Sequence, residues 1–265
     1  MSRPLVTRWS QRSIAAGAGF LVVWHLAALA GAPSRALVAI ALYGFVLQVV
    51  FGKAYSLVPS YFGRQYALPR LPAVQVTLSV AGAGLLVAGA WLPATAVSSP
   101  IADAAAVADA GAVLWAGGTL AFLAGMGWTL RGNLSGAETA TGEANADRRP
   151  IDRVANAFVP VALSYLLAGT YATAAPAVGA PALLDGYPPR ATHLLAAGFA
   201  ALLLFAVGFR MFPRFTVVGV PRWAPWAVLP AGALGPVLVA VGIPTGGLLH
   251  AGATVETVAV VVFAA

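Results

Sequence analysis

Three imidazoles and one carboxylate carry most of the chemistry available to this sequence. His25, His193 and His250 are its only histidines, and Glu256 sits inside an apolar run. Neutral imidazole exchanges protons near neutral pH and is the commonest nitrogen ligand for haem iron, copper and zinc. A carboxylate surrounded by lipid relays protons, partners a cation, or stays protonated and hydrogen-bonds between helices. Asp109 is a second acid within an apolar run, nearer its end; a place at the loop side competes with a functional role there. The chain has no cysteine, which excludes disulfides, thiolate metal ligands, iron–sulfur clusters and cysteine nucleophiles together. It offers no nucleotide-binding glycine loop, no His-Glu-x-x-His metal motif and no Ser-His-Asp arrangement.

The elements that must hold these groups follow from composition. Charged residues make up 9% of the chain, apolar ones 60%, and mean hydropathy is +0.86. A soluble domain keeps about a quarter of its residues charged, so lipid must replace water over much of this surface. Backbone groups in lipid need internal partners, which leaves helices or a closed barrel. The apolar runs are close to twenty residues long and lack the alternation of barrel strands, which selects helices. The runs fall at 13–31, 36–60, 71–93, 104–130, 154–178, 189–211, 223–243 and 245–265. An all-α, polytopic bundle of about eight transmembrane helices is therefore expected.

The net charge of +7 reflects topology rather than nucleic-acid binding. The amino-terminal tail and the even-numbered gaps hold or adjoin Arg3, Arg8, Arg12, Lys53, Arg64, Arg70, Arg131, Arg148, Arg149, Arg153, Arg210, Arg214 and Arg222. The odd-numbered gaps hold Arg35 and Arg190 alone. The positive-inside rule then puts the amino terminus in the cytoplasm of a multi-pass cell-membrane protein whose first partner is the bilayer. Ala30-Gly31-Ala32 has the look of a signal cleavage site, but the preceding run is long for a signal peptide. Lys53, Arg210 and Arg214 lie at run ends, from which their heads can snorkel to water.

The runs repeat. Gly44-Phe45, Phe51 and Pro59 recur as Gly198-Phe199, Phe205 and Pro213 at an offset of 154 residues. Tyr55, Leu57 and Tyr61 match Phe209, Met211 and Phe215 in kind, and Asp109-Ala-Gly-Ala112 answers His250-Ala-Gly-Ala253. Two parallel four-helix repeats are expected, residues 1–130 and 154–265, joined by a flexible, polar cytoplasmic linker at 131–153. The last run stops at Ala265 without the Trp128 and Arg131 anchor that ends the fourth, as expected if the chain is truncated.

Counted inward from the run ends, all three histidines fall roughly 6–9 Å below one membrane surface at about 1.5 Å per residue. Small residues flank each: Ala18 and Ala28 near His25; Ala196, Ala197 and Ala200 near His193; Gly246, Gly247 and Ala253 near His250. Small neighbours leave room for a flat macrocycle, and they equally let helices pack closely. Glu256 lies six residues beyond His250, about 120° around the helix, so those two side chains need not meet.

Two segments resemble a known family. Gly44-Phe45 through Gly52, Tyr55, Pro59 and Gly63, and His193 through Gly198-Phe199 to Met211-Phe-Pro-Arg-Phe215, are similar to helices of the haem-copper oxidase subunit I superfamily. Its cbb3-like and NnrS-like members are the nearest in pattern. The resemblance implies haem b ligation by histidines near one membrane face, with His193 the best-matched ligand and His25 and His250 next, and it brings copper into consideration. It also implies electron transfer with a redox partner or another subunit. A complete oxygen- or nitric oxide-reducing centre of that superfamily uses about six histidines, so this chain is not expected to be such a reductase on its own. The competing reading is a cofactor-free transporter or channel that uses Glu256, for which parallel repeats and helical Gly and Pro are equally suited. A purely structural or assembly partner is the third.

Overall fold

The computed structural model describes residues 2–91, 103–139, 146–216, 219–244 and 246–265. Eight helices are long and apolar enough to cross a membrane, and no strand occurs among the described residues. They are α1 (Ser2–Leu29), α2 (Ser34–Tyr61), α3 (Leu71–Trp91), α4 (Ala104–Leu130), α5 (Arg149–Ala174), α6 (188–216), α7 (Trp223–Gly242) and α8 (Gly247–Ala264). The shortest, α8 with 18 residues, rises about 27 Å, close to a hydrocarbon thickness of about 30 Å. The all-α expectation holds, and the chain is a multi-pass membrane protein.

Two helices begin well before their apolar runs. Helix α1 begins at Ser2, well before residue 13, because helical hydrogen bonding propagates through polar residues once a turn is nucleated. Its extension is held from within: Ser10 Oγ donates to Gly52 O at 2.6 Å and Ser13 Oγ to Gln48 O at 2.8 Å. Helix α5 begins at Arg149, inside the expected linker. The first part of that linker is anchored rather than free. Asn133 is buried and donates to Phe62 O at 3.0 Å, while Arg64 pairs with Glu138 at 2.8 Å. Residues 140–145 of the expected linker lie outside the described residues.

The chain forms two compact units. Unit 1 comprises Met1–Ser56, Tyr66–Thr129 and Thr170–Leu183; unit 2 comprises Leu57–Gln65, Leu130–Gly169 and Leu184–Ala265.

Within unit 1, α2 widens into a π-helical stretch at Ile40–Val46. Gly44 lies in it, and a Cβ there would strike the ring of Phe20 on α1. Helices α3 and α4 meet through glycines spaced seven residues apart, Gly82 and Gly89 on one, Gly111 and Gly118 on the other. Small residues let backbones touch where lipid supplies no hydrophobic drive. A buried polar chain runs through this unit: Ser13 and Ser79 both reach Gln48, Gln75 donates to Ser79 at 2.8 Å, and Tyr55 donates to Gln75 at 3.2 Å. Burying a polar group away from water is costly unless it finds a partner of this kind.

Unit 2 uses the same devices. Helix α6 widens at Leu194–Ala201, a stretch that starts 154 residues after that of α2. A Cβ at Gly198 would strike the ring of Tyr165 on α5. Helices α7 and α8 meet through Gly235 and Gly242 on α7 and Gly252 on α8. Phe263 of α8 packs on Phe205 and Phe209 of α6, with ring centroids 4.7 and 5.2 Å apart.

Candidate functional site

The sequence-expected residues fall into different situations. His193 ends the first α-helical part of α6, immediately before its π-helical stretch. Glu256 occupies the middle of α8. Their side chains meet: His193 Nε2 lies 2.8 Å from Glu256 Oε1, with both side chains about three-quarters covered within the isolated chain.

Three features position this pair. The first is Gly235 on α7, where a Cβ would collide with Glu256 Cγ, so the carboxylate's stem occupies space that only glycine leaves. The second is Tyr165, whose hydroxyl donates to the carbonyl of Ala233 and ties α5 to α7 two residues from Gly235. The third is Arg190, one turn before His193. It donates to Leu184 O at 2.9 Å and to Ile243 O, and its guanidinium lies 3.2 Å from Asp185. It thereby fastens the start of α6 to the end of α7. Widened π turns are frequent at functional positions because they re-aim the side chains beside them, and His193 stands at the edge of one.

His193 and Glu256 form a hydrogen-bonded acid–base couple. The imidazole can donate or accept a hydrogen bond and the carboxylate oxygen accepts one, so the contact satisfies both groups. In lipid such groups persist where they are paired.

His25 and His250 are placed differently. His25 is exposed on α1, with Nδ1 2.8 Å from Leu21 O and its ring edge-on to Trp24. His250 is exposed on α8, with Nδ1 2.7 Å from Gly246 O. Each Nδ1 donates to the carbonyl one turn back, which directs the remaining nitrogen, Nε2, away from its own helix as an acceptor. Metal-ligating histidines are commonly oriented in this way. The Nε2 of His193, by contrast, is engaged by Glu256. Within unit 2 the partner given to His193 is an acid, not His250. Among the described residues no group of three or more His, Asp or Glu converges to hold a metal ion. Asp109 is exposed on α4 and joins no such group.

Sequence reasoning missed a second polar centre in unit 2. Arg210, expected to snorkel, is 5% exposed. It donates to Asn156 Oδ1 at 2.6 Å and to Tyr61 O at 2.8 Å, lies over the Tyr61 ring at 4.3 Å, and is 3.6 Å from Asp152. A guanidinium supplied with this many partners stays inside because they replace water better than a reach to the surface would. The available signal was the pairing of Asp152 and Asn156 at one helical turn's spacing, which places both on one face of α5.

Comparison with protein-family models, curated proteins and solved structures yields no match.

Proposed function

We propose that this multi-pass membrane protein is a transporter whose working centre is the His193–Glu256 couple, taking up and releasing protons as a solute or ion crosses. The observation that carries the reading is the 2.8 Å contact between an imidazole and a carboxylate on two membrane-spanning helices. A carboxylate in mid-membrane is costly, and a histidine that takes and gives protons beside it turns that cost into a switchable bond. The α7–α8 glycine interface beside Glu256 supports the reading, since close-packed small residues let helices shift without carrying bulky side chains past each other. The test is proton flux into vesicles containing the purified protein, driven by an imposed potential and read with an internal pH dye. Flux in the wild type and its loss in Glu256→Gln supports the reading; equal flux in the two, or none above empty vesicles, overturns it.

A second reading rests on a separate observation, the outward Nε2 atoms of His25 and His250. In it the protein is a haem b-binding electron carrier of the kind the subunit I resemblance implies, and bound haem would supply one-electron chemistry. Taken by itself, His25 in unit 1 or His250 in unit 2 would offer Nε2 to an iron, its Nδ1–H bond holding the ring in place. Oxidised and dithionite-reduced absorption spectra, with iron and copper analysis of the same sample, decide between the readings. A Soret band at stoichiometric haem supports the second reading, and a colourless protein after haem supplementation removes it.

A further inference from the structure

The beginning of α5, the end of α6 and the beginning of α7 enclose a cavity of about 250 Å³. Arg148, Arg210 and Arg222 line it together with Asp147 and Asp152. Arg210 and Asp152 are spent largely on each other, 3.6 Å apart and buried. Arg148 gives one N–H to Pro213 O at 3.3 Å, leaving most of its guanidinium donors for other partners. Arg222 is exposed and makes no hydrogen bond or ion pair among the described residues. Three cations against two acids leave one positive charge uncompensated in a concave site of ample size for a phosphodiester group.

The surroundings choose among phosphate-bearing anions. Phe212 and Phe215 at the end of α6, and Trp223 and Trp226 at the start of α7, are 50%, 73%, 61% and 63% exposed. Aromatic rings at helix ends mark the membrane–water boundary. A cation-lined cavity at that boundary, with an apolar skirt beside it, matches a phospholipid: headgroup in the cavity, acyl chains along the rings. We infer that this cavity binds the headgroup of an anionic phospholipid, with Arg148 and Arg222 as the phosphate donors and Asp147 limiting the affinity.

The phosphate itself is common to lipids and to soluble phosphates, so the experiment separates the two. Full-length protein is stripped of lipid in detergent and titrated with phosphatidylglycerol, phosphatidylcholine, inorganic phosphate and glycerol 3-phosphate, with bound lipid counted by native mass spectrometry and protection read as thermal shift. Phosphatidylglycerol is expected to bind in preference to phosphatidylcholine. Arg222→Gln should weaken it about tenfold, the loss of one charge-assisted bond. Asp147→Asn should strengthen it. Both positions are exposed, so neither variant removes a buried contact. Equal binding of the two lipids, protection by the soluble phosphates alone, or affinities unchanged in both variants would overturn the inference.

Discussion

Glu256 meets His193 across 2.8 Å because position 235 has no side chain. The carboxylate stem fills the volume a Cβ would take on α7, so a residue with no chemistry of its own sets the geometry of an acid–base couple that joins α6 and α8. Replacing Gly235 with alanine must push Glu256 away from His193 or spread α7 from α8. Overpacking of this kind costs about 1–3 kcal/mol. Gly235→Ala should therefore lower the thermal unfolding midpoint in detergent and reduce potential-driven proton flux together. By contrast, Gly247→Ala, where a Cβ meets open space, should change neither.

Arg210 supplies a prediction that separates single changes from paired ones. It is buried with Asp152, with side-chain exposures of 4% and 6%. Removing one partner of a buried pair strands the other and costs about 3–5 kcal/mol, while replacing both with apolar residues of similar volume is often neutral or stabilising. Arg210→Met alone and Asp152→Leu alone should each destabilise unit 2 strongly. The double variant should recover much of the loss, although Asn156 and the Tyr61 carbonyl would still lack the guanidinium. Thermal melts of the four proteins give the coupling directly.

The eight spans were legible because lipid imposes its own period: a run near twenty residues with few charges has few alternatives. The glycine and aromatic spacing also showed where α2 and α6 resemble each other, and their π-helical stretches start at Ile40 and Leu194 with the same 154-residue offset. Rotation about each helix axis was not legible. His193 and Glu256 lie 63 positions apart, and nothing in either run states which face turns toward the other. Arg210 misled for a related reason. Near a helix end an arginine reads as a snorkelling cation, and only the facing Asp152 and Asn156, on a helix that begins earlier than its apolar run, keep it inside.

Tyr66 makes unit 1 sensitive to alkali. It lies between α2 and α3, outside the spans, 9% exposed, with its ring edge-on to Tyr55 at 5.0 Å. Burial pushes its phenol pKa up from the ordinary value of 10.0. A group whose pKa is raised by folding favours the folded state fully below its unfolded pKa, and that contribution is lost as pH rises toward the folded one. Stability should therefore fall progressively above pH 10.0. Tyr66→Phe, which has no ionisable proton to lose, should flatten that part of the profile in alkaline melts followed by tryptophan fluorescence.

The three histidines should separate in a single set of alanine variants. His25 and His250 are exposed, and each makes one local bond to a carbonyl on its own helix, so their loss removes little packing. Changes away from buried contacts fall within about 0.5 kcal/mol, and both variants should melt with the wild type. His193→Ala instead deprives Glu256 of its partner inside a membrane-spanning bundle. Removing a buried hydrogen-bond partner costs about 1–3 kcal/mol, so that melt should shift down and proton flux should fall. Adding Glu256→Gln to His193→Ala should cost less than the sum of the two separate losses, because the acid left behind is then neutralised. A pattern in which His25→Ala or His250→Ala destabilises most, and does so only in protein prepared with haem, would move the working centre from the acid–base couple to a ligated iron.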